Sequence, residues 1–421
     1  MRRAWLLAAA LTAGLPAAAL AQFSPGARSA AMGGAGMVFA SGVDAIEWNP
    51  ANLALEGGWN VSLGEAGAAA LLSGFTFDDL QEIYDAGGAG GYDVSNAPAG
   101  GLSFSTVTEG FTTAQLASMG GLPQPGSPFP SIGITVGSLG LRVRSRIQGD
   151  FRLSKEVVDL MVNGFDPAEI QSYRVGNTGF RTASFSEITV GYGAILGDRL
   201  ALGVGARYVR GHSLTEGRFF EPVVDLVNET VEVAGVAVES AGGSGYALDL
   251  GLALDLVAGL RVSASGSNVV QSMTWDEALV SHEAVLVGCN PGTPACPDGD
   301  DFESGIEDLI DRFQSQPVDP EAMSLPVYFT AQDLFRGAFF PTVFRLGVGW
   351  RAGGTAVELV GSSVSPRGRQ HSQWDERVSL GLEQRLWILT LRAGAAKGTD
   401  GLQALSGGLG LGIGPVALDV S

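Results

Sequence analysis

Between Leu141 and Phe151 three arginines, Arg142, Arg144 and Arg146, alternate with Leu141, Val143, Ser145 and Ile147. In an extended strand residues two apart share a face, so the three guanidinium groups point the same way. Arg207, Arg345, Arg351, Arg377, Arg385 and Arg392 fall on the polar face of comparable alternations, with fewer acids beside them: Asp249, Asp255, Glu358 and Glu383. A guanidinium recognises carboxylates and phosphates through paired N–H donors. Two chemistries follow. The arginines bind the head group of an anionic amphiphile, or they hold a neighbouring segment of the chain through Asp44, Glu47 and carbonyl groups.

Other chemistries lack their parts. A Ser/His/Asp site needs a placed histidine; His212, His282 and His371 fall in loops or at strand ends, and no GxSxG elbow occurs. The chain therefore reads as a non-enzyme without a cofactor. Gly33-Gly34-Ala35-Gly36 does not complete a GxGxxG loop and no strand precedes it. Cys289 and Cys296 flank the turn-rich NPGTPA, a spacing that suits a small disulfide loop in an oxidising compartment and excludes CxxC redox chemistry. The acidic run from Asp298 to Asp311 lacks the ligand spacing of an EF-hand and reads as a solvated loop, with no metal site.

The elements that carry the arginines are long strands. Leu202, Val204, Ala206 and Tyr208 oppose Gly203, Gly205 and Arg207; Tyr246, Leu248, Leu250 and Leu252 oppose Asp249 and Gly251. Phe344, Leu346, Val348 and Trp350 oppose Arg345, Gly347, Gly349 and Arg351, and Val378, Leu380 and Leu382 oppose Arg377, Ser379 and Glu383. Period two over about ten residues, greasy on one face and charged or tiny on the other, is the pattern of a transmembrane strand. Short turns at 138–140, 197–199, 257–259, 352–354, 386–387 and 414–415 alternate with long polar stretches at 152–181, 214–243, 271–339, 366–373 and 397–401. That asymmetry predicts an all-β, antiparallel up-and-down barrel with long extracellular loops. Phe77–Asp85 and Lys155–Asn163 have helical spacing, and 218–240 reads as an extra hairpin above the membrane.

Composition agrees. The 62 glycines in 421 residues and a charged fraction of 16% depart from soluble averages, where charged residues run near 25%. Mean hydropathy is positive, yet beyond the leader no run approaches the ~18 apolar residues of a membrane helix. Met1–Ala21, with Arg2 and Arg3, an apolar centre and Ala19-Leu20-Ala21, has the three parts of a secretory signal. The net charge of −19 becomes −21 once Arg2 and Arg3 are removed, which argues against a nucleic-acid partner.

Phe23–Leu55 is dense in Gly, Ala and Ser and closes on Trp48-Asn49-Pro50-Ala51. Pro50 excludes Asn49 from the helical region, so a short helix stops near Trp48. With Gly26-Ala27-Arg28-Ser29, Met32-Gly33-Gly34-Ala35 and Trp48-Asn49-Pro50-Ala51-Asn52-Leu53, this stretch resembles the N-terminal hatch of the long-chain fatty-acid transporter (FadL) superfamily and its PorV-like relatives. The resemblance implies a barrel of about 14 strands with a luminal hatch, taking up hydrophobic molecules across the outer membrane of a Gram-negative cell. It divides the chain into a signal peptide (1–21), a hatch (22–56) and a barrel (57–421). Alternation alone gives roughly thirteen strands; either 101–107 supplies another, or a partner of the last strand is missing from a sequence that stops at Asp419-Val420-Ser421 without a terminal aromatic.

The function expected is passive passage of a hydrophobic or anionic amphiphilic small molecule, with Arg142, Arg144, Arg146, Arg207, Arg345 and Arg351 as lumen ligand-binding candidates. The alternative is a PorV-like platform, embedded in outer-membrane lipid, on which exported proteins dock. A polar porin is disfavoured because a filled lumen blocks water.

Overall fold

The computed structural model describes residues 27–65, 67–73, 102–109, 131–154, 178–219, 223–225, 230–257, 259–277, 280–289, 317–318, 336–337, 342–365, 376–398, 403–413 and 416–420. The signal peptide, the two stretches of helical spacing, the acidic run, Cys296 and His371 lie outside them.

All 20 described strands join one antiparallel sheet, and thirteen form its wall. They are β1 (Trp59–Glu65), β2 (Ser131–Val136), β3 (Leu139–Leu153), β4 (Gly179–Leu196), β5 (Leu200–Phe219), β6 (Gly242–Asp255) and β7 (Leu260–Glu277). β8 (Thr342–Ala352), β9 (Thr355–Ser365), β10 (Glu376–Leu386), β11 (Leu389–Gly398), β12 (Gln403–Ile413) and β13 (Val416–Val420) complete it. Each pairs with the next, the up-and-down order of a barrel. Turns at 137–138, 197–199, 353–354 and 387–388 gather at one end and the long connections at the other, as the loop lengths require.

The candidate strand near 101–107 exists, as Leu102–Glu109, but adds no wall position. It pairs with Arg146–Leu153 of β3, in line above β2, which pairs with Leu139–Val143 of the same strand. Gly67–Ser73 pairs with Leu102–Glu109 as β1 pairs with β2. The hairpin expected over 218–240 is the tip of a taller wall: Thr230–Ser240 pairs with Leu214–Phe219 of β5 and with Val280–Cys289. Cys289 ends that strand.

The two faces differ as the alternation demands. Outward, Val204, Tyr208, Leu250, Leu346, Val378 and Leu380 are exposed although apolar. Trp59, Tyr192, Trp350 and Trp387 gather toward the short-turn end, with Tyr208, Tyr246 and Phe344 further up their strands. A belt of apolar side chains edged by aromatics is the surface that a bilayer covers. Inward, Arg142, Arg144, Arg207, Arg345 and Arg377 are buried. No described helix is long and apolar enough to cross a membrane, which bears only on helices.

Inside the curl lies the N-terminal segment: α1 (Ala27–Ala31), α2 (Val43–Trp48) and α3 (Asn52–Glu56). α2 ends as its sequence dictates, with Asn49 extended (φ −162°, ψ 97°) ahead of Pro50. α1 lies on β11, β12 and β13; α2 on β1 to β4 and on β7; α3 on β4, β5 and β6. One short segment thus touches both edges of the sheet and much of the wall between. Met32, Met37, Val38, Ile46 and Trp48 make a hydrophobic core there with Val343, Val360 and Val364 of the wall.

Candidate functional site

The glycines of the inner face decide how closely the segment can lie. A Cβ on Gly203 would stand 2.1 Å from the Ala51 backbone nitrogen, and one on Gly394 would stand 2.0 Å from the Met32 carbonyl carbon. Gly193 receives the Ala54 nitrogen and Pro50 carbonyl in the same way, and Gly251 the Asn49 side-chain oxygen and the Ala51 nitrogen. These positions form a collar where wall backbone comes against the segment with no wall side chain between. Gly33 and Gly34 of the segment have φ of +67° and +83°, a region that glycine enters without strain. A Cβ on Gly34 would collide with the Arg377 guanidinium.

Residues 27–38 are held by wall carboxylates. Glu358, fully buried on β9, accepts from the Gly36 N–H at 3.0 Å, the Val38 N–H at 2.8 Å and Arg28 at 3.2 Å. Arg28 also donates from Nε to Glu383 of β10 at 2.9 Å and to the Gly36 carbonyl at 2.8 Å. Burial opposes the Arg28 charge, but Glu383 and Glu358 more than offset it, so its pKa is raised and it stays a cation. Arg377 donates to the Gly33 carbonyl at 2.6 Å.

Residues 43–56 are held with the opposite polarity. Glu47 of α2 meets three arginines of β3: Arg144 at 2.6 Å, Arg142 at 2.9 Å and Arg146 at 3.4 Å. Burial would push the Glu47 carboxyl up; the Arg144, Arg142 and Arg146 guanidinium groups hold it well below the usual carboxylate range. Arg144 pairs on its other side with Glu187 of β4, which also faces Arg207 at 3.5 Å; Arg207 bonds Asp249 at 2.9 Å. The Asn49 amide donates to the Leu252 carbonyl at 3.1 Å, and its oxygen accepts from the Ala51 N–H.

The remaining sequence candidates fall around this core. Arg345 stacks over Trp48 at 4.9 Å and donates to Ser267. Arg351 lies over the Phe39 ring at 4.3 Å and donates to its carbonyl. Arg392 bonds Glu383, whereas Arg385 sits at the exposed short-turn rim with a 3.2 Å contact to the same carboxylate. The arginine face is therefore one connected set of contacts to the segment and to wall acids. Sequence reasoning missed Glu187, Arg261 (which bonds Asp255 at 2.6 Å) and the collar glycines. The period-two pattern put Glu187 on the arginine side, a signal that was available; nothing local marks which glycines meet a distant backbone.

A groove of about 1010 Å³ is lined by outward residues, among them Leu250, Ala264, Phe344 and Leu346, and also by the inward Gly203, Arg345 and Arg377. Beside it β7 is irregular: Leu248 pairs with Val270 but Leu250 with Gly266, and Asn268 between them has φ +56°.

No protein-family profile matches the chain and no curated protein matches it. Solved structures do. The CymD monoaromatic hydrocarbon channel is 14% identical with a TM-score of 0.45, over 94% of this chain and 90% of that one. The toluene transporter TbuX of Ralstonia pickettii is 15% identical with a TM-score of 0.46, over 95% and 92%. A FadL homologue of Pseudomonas aeruginosa is 11% identical with a TM-score of 0.45, over 93% and 87%.

Proposed function

We propose that this chain is an outer-membrane channel of the FadL kind, passing hydrophobic or amphipathic small molecules passively, with residues 22–56 as its plug. The observation that carries the reading is the N-terminal segment itself. It is buried inside a sheet whose outer face is apolar, and it is held there by ion pairs and backbone contacts that can part without breaking the wall. The wall strands keep their own ladders on both sides of Glu358, and Arg144 pairs with Glu187 of β4, so moving the plug costs side-chain contacts and not sheet. A filled lumen lets cargo pass down a gradient only if its obstruction can move aside. The groove beside the β7 irregularity, lined from both faces of the wall, gives an apolar cargo a place to meet the bilayer.

Deleting residues 22–56 and recording conductance in a planar bilayer tests the plug. A steady large pore in the deletion alone is expected, and an unchanged trace refutes it. Liposome uptake of a labelled fatty acid and of a neutral aromatic hydrocarbon tests the cargo. Uptake of neither, with exported proteins co-purifying, would replace the channel with a docking platform.

A further inference from the structure

We infer that the outer face of β3 to β7, toward its long-loop end, is a docking site for one glycolipid of the outer leaflet, a lipid whose head is a phosphorylated sugar. The site lies on the side of the wall away from the lumen, so it is independent of what the lumen passes.

Its floor is a polar row. Ser145, Ser186, Arg210, Ser244 and Thr274 stand opposite one another across β3, β4, β5, β6 and β7. Each lies two residues along its strand from the row that holds the exposed Ile188, Tyr208 and Tyr246, so it faces outward with them. His212 is an extra residue where Ser184 pairs with Ser213 but Phe185 with Gly211. Its Nε2 stands 2.8 Å from Ser186 Oγ, which is 3.4 Å from Ser145 Oγ. The half-exposed Arg210 meets both oxygens of Glu277 through one nitrogen, Nη2, at 2.7 and 2.9 Å. An exposed pair of that kind is weakly held, and Nε and Nη1 remain as donors to a phosphate.

Height places this row in the membrane. From Leu196 at the short turn to Ser186 is about 33 Å of strand, or about 25 Å of height at a tilt of about 40°. That equals the apolar band of such barrels, about 25 Å tall. The row therefore stands where acyl chains end and head groups begin, with Ile188, Tyr208 and Tyr246 below it for the tails.

What rises above the row chooses among lipids. β3, β4 and β5 run to 15, 18 and 20 residues, whereas β8, β9 and β10 have 11 each. On the taller face Phe151, 42% exposed, pairs across with Phe180, whose ring covers Gly217. By the same arithmetic Phe151 stands about 15 Å above Ser145. A phospholipid head layer is only about 5–8 Å deep, so it leaves the aromatic pair bare. A run of sugars reaches it, laying C–H edges on the electron-rich ring faces, with the Thr182 and Thr215 pair between. Tail surface, guanidinium, hydroxyls and aromatic pair follow one another upward in the order of a phosphorylated glycolipid.

Native mass spectrometry of the purified full chain in phosphatidylcholine nanodiscs tests the site. The probes are lipopolysaccharide with a complete core, the same lipid cut back to its lipid-proximal sugars, and phosphatidylglycerol, an anion without a glycan. One lipopolysaccharide per chain is expected to stay bound, and phosphatidylglycerol to bind no better than the surrounding lipid. Arg210→Ala should weaken both forms of lipopolysaccharide by about 10- to 100-fold, the range for a hydrogen bond to a charged group. Phe151→Ala should weaken only the complete-core form. Lys397→Ala, on the outer face of β11 opposite Val378, should weaken neither. Heat-modifiable gel mobility confirms a folded barrel in each variant. Wild-type retention of lipopolysaccharide by folded Arg210→Ala, equal binding of phosphatidylglycerol, or no retention at all would overturn the site. An equal effect of Phe151→Ala on both core lengths, or a loss in Lys397→Ala matching that in Arg210→Ala, would overturn it as well.

Discussion

Replacing Glu358 by Gln isolates the anchor of the first half of the N-terminal segment. The wall should survive, because Glu358 joins β8 and β10 through its backbone, opposite Gly349 and Gly381. What changes is the fully buried carboxylate that takes the Gly36 and Val38 N–H groups and one arm of Arg28. The amide keeps one acceptor oxygen, presents an NH₂ to donors, and removes the charge facing a buried guanidinium. Breaking a buried ion pair from one side costs about 3–5 kcal/mol. Because Arg28 keeps Glu383 at 2.9 Å, the lower end applies, about 3 kcal/mol or roughly a hundredfold in the docking equilibrium. Peptide-resolved hydrogen exchange over residues 36–38 is the assay, with heat-modifiable gel mobility confirming an intact barrel. Wild-type protection in a folded E358Q protein would refute the idea that this carboxylate, and not the surrounding apolar packing, fixes residues 27–38.

The collar predicts that Gly203→Ala loosens residues 49–54, since its Cβ meets the Ala51 backbone of the segment at 2.1 Å, while Gly361→Ala, with its nearest atom at 3.9 Å, does not; conductance steps and exchange over 49–54 report both. Leu346→Arg, at an exposed apolar position of β8, should cost about 2–4 kcal/mol of folding stability in vesicles, and a loss within about 0.5 kcal/mol, as at an ordinary surface, would count against a bilayer around it. The lowered pKa of Glu47 makes its contribution fully present above the unfolded carboxylate value of about 4.3 and lost only as pH falls through the lower folded value. Exchange over 43–56, corrected for its intrinsic pH dependence, should therefore be flat from about pH 8 to about pH 5; loosening within that range would contradict the three-arginine hold.

Much of the wall was legible because its rules are local. Arg142, Arg144 and Arg146 share a face through strand geometry alone, and the same period puts Leu346 and Trp350 outside. The stop of α2 at Trp48 follows from one proline two residues on, and turn length told one end of the barrel from the other. Even the strand at Leu102–Glu109 was visible as alternation. Its place in line above β2, which leaves thirteen wall positions, was not, since register is a relation between strands.

The sequence by itself determined which residues face inward and that arginine dominates among them; it left open whether those arginines grip a ligand or the plug. Tertiary structure supplied their partners in the chain, bringing Glu47 to Arg142 across 95 positions and Arg28 to Glu383 across 355. It also chose Gly203 and Gly394, out of many small inward residues, as points of backbone contact. The physical reason is range. Side-chain direction is fixed by each residue's own dihedral angles and those of its neighbours, whereas a salt bridge across a lumen exists only once the whole sheet has curled and set the distance between its walls.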